Sequence, residues 1–206
     1  MIVMPSELGI GPMPLAPADT DWLRNTLGVS GAAAAVGRFQ AAARGSGIIP
    51  WQRDLDRMEE DWFLPMAAPA DGVRAISLAG ARILACRPRD SVALQQQRAL
   101  LRATTDQRCP FDLHRLRPVP AAILQLGPED PQSRDWLWRH WGTTRALRHT
   151  RLLPSPADRR NRQTDHWLVE FWAADWSPWP ALKTLRRTWP DLTLSLRPHY
   201  GDGADG

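Results

Sequence analysis

HWLVEFWAADWSPWPALKTLRRTWPDLTLSLR, residues 166–197, carries a strand, a helix and a second strand in direct succession. From His166 to Ala174, the residues Trp167, Val169, Phe171 and Ala173 recur at every second position. That is the period of an extended chain whose alternate side chains share one face. Ser177-Pro178 then reads as a helix start, with serine as the cap and proline at the first helical position. Leu182, Leu185 and Trp189 follow at helical spacing, and Pro190 stops the helix. Leu192, Leu194 and Leu196 alternate with Thr193, Ser195 and Arg197 in a final strand.

Working outward, Arg145–Leu153 reads as another strand, joined to 166–174 by the polar loop PSPADRRNRQTD. At the other end, Trp22 to Val29 also alternates. Leu23, Asn25, Leu27 and Val29 point one way, and Trp22, Arg24, Thr26 and Gly28 the other. Ser30 is read as the N-cap of an alanine-rich helix with Val36, Phe39 and Ala43 on one face, and Gly45 as its stop. Between these ends, residues 46–144 read as mostly helical. A helix near 52–64 carries Leu55, Met58 and Trp62. Ser77 caps a second, which Pro88 is expected to kink or end before a restart through Leu101. The stretch 109–120 is broken by Pro110, Pro118 and Pro120 and reads as irregular. Asp130-Pro131 opens a helix that Gly142 closes. Trp136 and Trp138 lie about 160° apart on that helix, so it is expected to be buried on two sides.

The order is β-α-(helical insert)-β-β-α-β. Without the insert it is the split βαβ arrangement: an α+β fold with a ferredoxin-like antiparallel sheet and two helices on one face. The organisation expected is a loose arm at 1–20, the first β-α at 21–45, and a helical insertion with its connection at 46–144. The β-β-α-β remainder follows at 145–200, and a disordered tail at 201–206.

Several stretches resemble the YubB-type family of ferredoxin-like proteins. WLRNTLGVSG at 22–31, followed by a helix ending in RFQAAARG, resembles that family's opening. FDLHRLRPVP at 111–120, RHWGT at 139–143 and FWAADWSPWPALKTLRRTWPDLTLSLRPHY at 171–200 are similar to its later segments. The insert near 46–108 departs from the family, as does Thr144-Arg145, where members continue with Lys and Trp. The resemblance implies the fold and a setting on plasmids, phages or related mobile DNA. It implies no catalytic residue, since the family has no established biochemical activity.

Composition narrows the function classes. A chain of 206 residues is long enough to bury a core without disulfides or metals. Eleven tryptophans stand against one tyrosine and four phenylalanines, so large apolar side chains either fill the core or mark a contact surface. The net charge of +4 gives only a weak long-range field, although the pI is about 10. Cys86 and Cys109 have no cysteine or histidine partner at zinc spacing. The start lacks the basic and apolar regions of a secretion signal, and no window approaches a membrane span. A cytoplasmic protein with no membrane contact and no cofactor is expected.

Three groups carry candidate chemistry. The acids Asp54, Asp56, Glu59, Glu60 and Asp61 suit a hard cation in kind, but their spacing spreads them around a helix. Cys109, Asp112 and His114 contain the types used in nucleophilic catalysis, within a proline-rich turn. The third group is basic. Arg145, Arg148 and Arg151 lie on a proposed strand, and Arg159, Arg160 and Arg162 in the loop after it. On an uncovered sheet face these would meet phosphates while Trp167 or Trp172 stacks a base. The leading expectation is a non-enzymatic binding protein of mobile-element origin, acting through a protein partner. The alternative is a nucleic-acid-binding protein using Arg145, Arg148, Arg151, Arg159, Arg160, Arg162 and Trp172. A hydrolase or nuclease built on the acidic helix is the most distant of the three.

Overall fold

The computed structural model describes residues 21–70, 72–154 and 164–200. The elements run β1 (Trp22–Ala32), α1 (Ala33–Ala43), α2 (Leu55–Ala67), α3 (Leu78–Thr105), α4 (Leu113–Leu116), α5 (Ala121–Leu126), α6 (Pro131–Trp141), β2 (Arg148–Leu153), β3 (Thr164–Ala174), α7 (Trp179–Thr188) and β4 (Leu192–His199). The strands form a four-stranded sheet in the order β2-β3-β1-β4, with every neighbouring pair antiparallel. The chain is therefore a mixed α+β protein, and α2 to α6 fall between α1 and β2.

The alternation read in the sequence decides which face of the sheet is buried. Leu27 and Val29 of β1, Val169 and Phe171 of β3 and Leu194 of β4 pack under Val36 and Phe39 of α1 and Leu182 and Leu185 of α7. Each such side chain contributes about 1.5–3 kcal/mol on leaving water. Phe39 meets Trp167 and Trp189 edge to face, with ring centroids at 5.8 and 5.3 Å, a favoured aromatic geometry. Two polar groups lie within this apolar layer and satisfy each other: Ser177 Oγ donates to Asn25 Oδ1 at 2.6 Å, and both residues are fully buried.

The structure corrects several local expectations. Trp167 is in the core, so it offers no stacking surface. Ser30 does not cap α1, because β1 continues to Ala32 and Ser30 pairs with His166 and Thr193. Ser177 likewise leaves α7 uncapped, its hydroxyl being bound to Asn25. Pro65 and Pro88 lie inside continuous helices. Pro88 withdraws one donor from the Leu84 carbonyl, and Leu84 sits on the exposed side of α3, where water can replace that donor. The 109–120 stretch is not wholly irregular: Asp112 caps the short α4 by accepting from the His114 N–H, and Cys109 pairs with Gly45 as an isolated bridge.

The outer strands differ at their free edges. On β4, the Leu194 carbonyl accepts from Nε and Nη2 of Arg186 at 3.2 and 2.8 Å. On β2, the register shifts between Arg148 and Arg151, and His149 has a positive φ of 49°. That is the mark of a bulge.

Candidate nucleic-acid interface

Since α1 and α7 cover the face that carries Leu27 and Val169, the alternate residues face outward. The pairing register brings Arg148 of β2, Trp172 of β3, Arg24 of β1 and His199 of β4 into one row across the sheet. With strands about 4.8 Å apart, this row is about 14 Å long. The next row holds Arg151, Glu170, Thr26 and Arg197. Trp172, Arg24 and His199 are half-buried, while Arg148, Arg151 and Arg197 are exposed. Among the described residues of this face, Glu170 is the one carboxylate, and Arg151 holds it through Nε and Nη2 at 2.8 and 2.7 Å. Four arginines against one neutralised acid leave the face basic.

Trp22, one step beyond Arg24 on the same face, lies under the Arg148 guanidinium, whose central carbon is 4.3 Å from the ring centroid. That distance is well within cation–π range. Trp176 and Tyr200, just past the ends of β3 and β4, are both exposed, with ring centroids 6.3 Å apart. Thr26 Oγ1 and His199 Nε2 are 2.9 Å apart and join the two rows.

The turn after α6 fixes this end of the sheet. Gly142 ends α6 in the left-handed region, at φ 82°, and its N–H donates to the carbonyls of Leu137 and Trp138. The next residue, Thr143, is fully buried. Its hydroxyl accepts from the Ala174 N–H and donates to the Ala174 carbonyl, each at 2.9 Å. Thr144 donates to the Asp175 carboxylate. Asp175 also binds the start of β1, through Asp21. Trp22, Trp172 and Arg148 are thus held from both sides of the site. Within α6, Trp141 is buried and donates from Nε1 to the Arg117 carbonyl at 3.0 Å. Trp136 and Trp138 remain half-buried, with Trp136 stacked on His140.

Of the basic residues anticipated, Arg148 and Arg151 lie on the open face with Trp172, and Arg145 is exposed in the approach to β2. Arg159, Arg160 and Arg162 lie outside the described residues. Sequence reasoning missed Trp22, Arg24 and His199 as members of the site and counted Arg197 only as a basic residue nearby. Their signal was present in the polar half of the alternation in β1 and β4, but only the register shows which residues meet.

The two other candidate groups do not assemble for catalysis. The Cys109 thiol donates to the Phe111 carbonyl at 3.3 Å, and burial raises its pKa, which opposes thiolate formation. Asp112 accepts from the N–H groups of Gly47 and His114. Four of the five acids at α2 are occupied too. Asp54 caps the helix, Asp56 and Glu59 hold Arg89, and Asp61 faces Arg57. No group of three metal-ligating side chains occurs among the described residues. Cys86 and Cys109 are free thiols. Among the described residues, no helix is long and apolar enough to cross a membrane.

His114 yields a pH prediction. Its Nδ1 accepts from the Val119 N–H at 3.2 Å, and burial lowers its pKa against the smaller opposing pull of Asp112. A histidine with a depressed folded pKa contributes stability that is fully present above the unfolded value of about 6.5 and is lost as the pH falls from there through its lowered folded value. The urea midpoint should therefore fall between pH 7.5 and 5.5, and His114→Gln should flatten the fall. An equal fall in both proteins would assign it to other groups.

No protein-family model, curated protein or solved structure matches the chain.

Proposed function

We propose that the chain is a non-enzymatic binding protein with a ferredoxin-like β-α-β-β-α-β core, and that it binds single-stranded nucleic acid across the open face of its sheet. The observation that carries this reading is the row Arg148–Trp172–Arg24–His199 on the face that the helices leave uncovered, with Arg148 lying on Trp22. Single strands are bound where cations track phosphates and aromatic faces stack bases, and the row supplies both within a few ångströms. The strand order β2-β3-β1-β4 supports the ferredoxin-like assignment. The mobile-element setting belongs to the same proposal and rests on the motifs that resemble the YubB-type family.

The test is fluorescence anisotropy with labelled single-stranded DNA, single-stranded RNA and duplex DNA of about ten nucleotides, a length within single-strand site sizes. Single strands are expected to bind more tightly than the duplex. Trp172→Ala should weaken single-strand binding about tenfold, as the loss of one stacked base does. Arg148→Ala should weaken it and lower the slope of log affinity against log salt by about 0.7. Absence of binding at low salt, or equal affinity in wild type and both variants, would sink the reading. A protein partner is the second reading. The α2–α3 hairpin favours it, because Trp62, Ile83, Leu94 and Leu101 stand exposed there.

A further inference from the structure

We infer that the bound strand continues past Arg148, off the sheet, into the groove between segment 47–53 and the turn at 144–148. This rests on the nucleic-acid reading of the open face and extends its footprint. Arg148 is the junction. Its guanidinium lies over Trp22 on the sheet, and the same residue lines a groove of about 380 Å³. The groove walls include Ile48, Trp51 and Arg53 on one side and Arg145 on the other. Trp51 is half-buried against the core, and Arg53 and Arg145 are exposed. A strand leaving Trp172 would therefore meet a cation, an aromatic ring and two further cations. That is the alternation that lets a groove follow a flexible phosphate backbone. Among the described residues, three arginines line this groove with one carboxylate, Glu129.

Charge also sets where the track ends. The adjoining groove, of about 400 Å³, shares Arg53, Pro128 and Glu129 with the first. It adds Arg57, but also Asp54, Asp61 and Asp130. Phosphates are repelled there, so Arg53 is the last favourable contact. The groove along the outer side of β2 is a poorer continuation. Among the described residues, it is lined by Arg44, Arg108 and Arg151 but by no aromatic ring on which a base could stack.

The experiment compares oligo-dT and oligo-U of about three and about eight nucleotides, lengths chosen around the lower end of single-strand site sizes. The longer strand is expected to bind at least about tenfold tighter to the wild type. In Arg53→Ala/Arg145→Ala that ratio should fall to about twofold, and the salt slope for the longer strand should drop by roughly 1.4, two phosphate contacts' worth. Arg53→Lys/Arg145→Lys should restore most of both. Both positions are exposed, and circular dichroism of each variant checks the fold. An unchanged length ratio in the alanine variant, or no gain with length in the wild type, would overturn the extended track while leaving the sheet site intact. If Trp172→Ala and Arg148→Ala change neither length's binding, the sheet site itself fails and the extension with it.

Discussion

Gly142→Val is expected to lower folding stability by about 3–5 kcal/mol, from backbone strain and overpacking together. Two causes act at one atom. The residue sits at φ 82°, which a β-branched side chain tolerates poorly. An added Cβ would also stand 2.4 Å from Pro180 Cδ and 3.0 Å from the Ser177 carbonyl oxygen. Neither neighbour yields easily, since one belongs to a ring in the first turn of α7 and the other is backbone. Gly72 separates the two causes, because it has φ 72° but nothing within 4 Å of an added Cβ. Gly72→Ala should cost about 1 kcal/mol, the conformational part alone. Urea denaturation of both variants makes the comparison. If Gly142→Val lost no more than Gly72→Ala, the close approach of α6 to α7 would be irrelevant to stability. Because the same turn leads through Thr143 and Thr144 to Arg145 and Arg148, the Gly142 variant should also lose whatever the open face binds.

Phe39→Ala should cost about 3–5 kcal/mol, the range for emptying a buried aromatic site. Phe39 is fully buried and touches both Trp167 of β3 and Trp189 beyond α7, so its ring joins three elements. Its removal leaves a cavity between rigid indoles, which cannot collapse as flexible leucines do. Phe39→Leu should recover much of the loss. A loss of stability of less than about 1 kcal/mol for the alanine variant would mean that the layer repacks freely and that the three rings do not interlock.

Much of the architecture is legible in local patterns. The strands and flanking helices at both ends of the chain follow from periods of two and of 3.6, because one face of each must leave water. The internal stretch was harder to read. Its helices lie largely outside the main core, so apolar spacing there is weak: α2 buries no residue, and α3 buries only Ala81 and Ala85. Pro88 misled for the same reason, since its position on an exposed helix lets solvent absorb the missing bond. Ser30 and Ser177 misled because a serine at the right place can bind elsewhere. One lies in a ladder and the other on Asn25, and neither partner is close in sequence. The candidate site was half visible. Arg148, Arg151 and Trp172 stood out within one region of the chain, but Trp22 and Arg24 lie more than a hundred residues away. Only antiparallel pairing of β1 with β3 brings them together.

The two free edges bear on solubility. A sheet with unpaired outer strands invites a further strand from another molecule, the first step towards aggregation. On β4 the Leu194 carbonyl is already taken by the Arg186 guanidinium, and an incoming backbone would have to displace a charged donor. On β2 the bulge at His149 breaks the regular spacing that a template needs. Each feature raises the cost of adding a strand at its edge, so Arg186→Ala should make a crowded solution of this protein aggregate faster than the wild type.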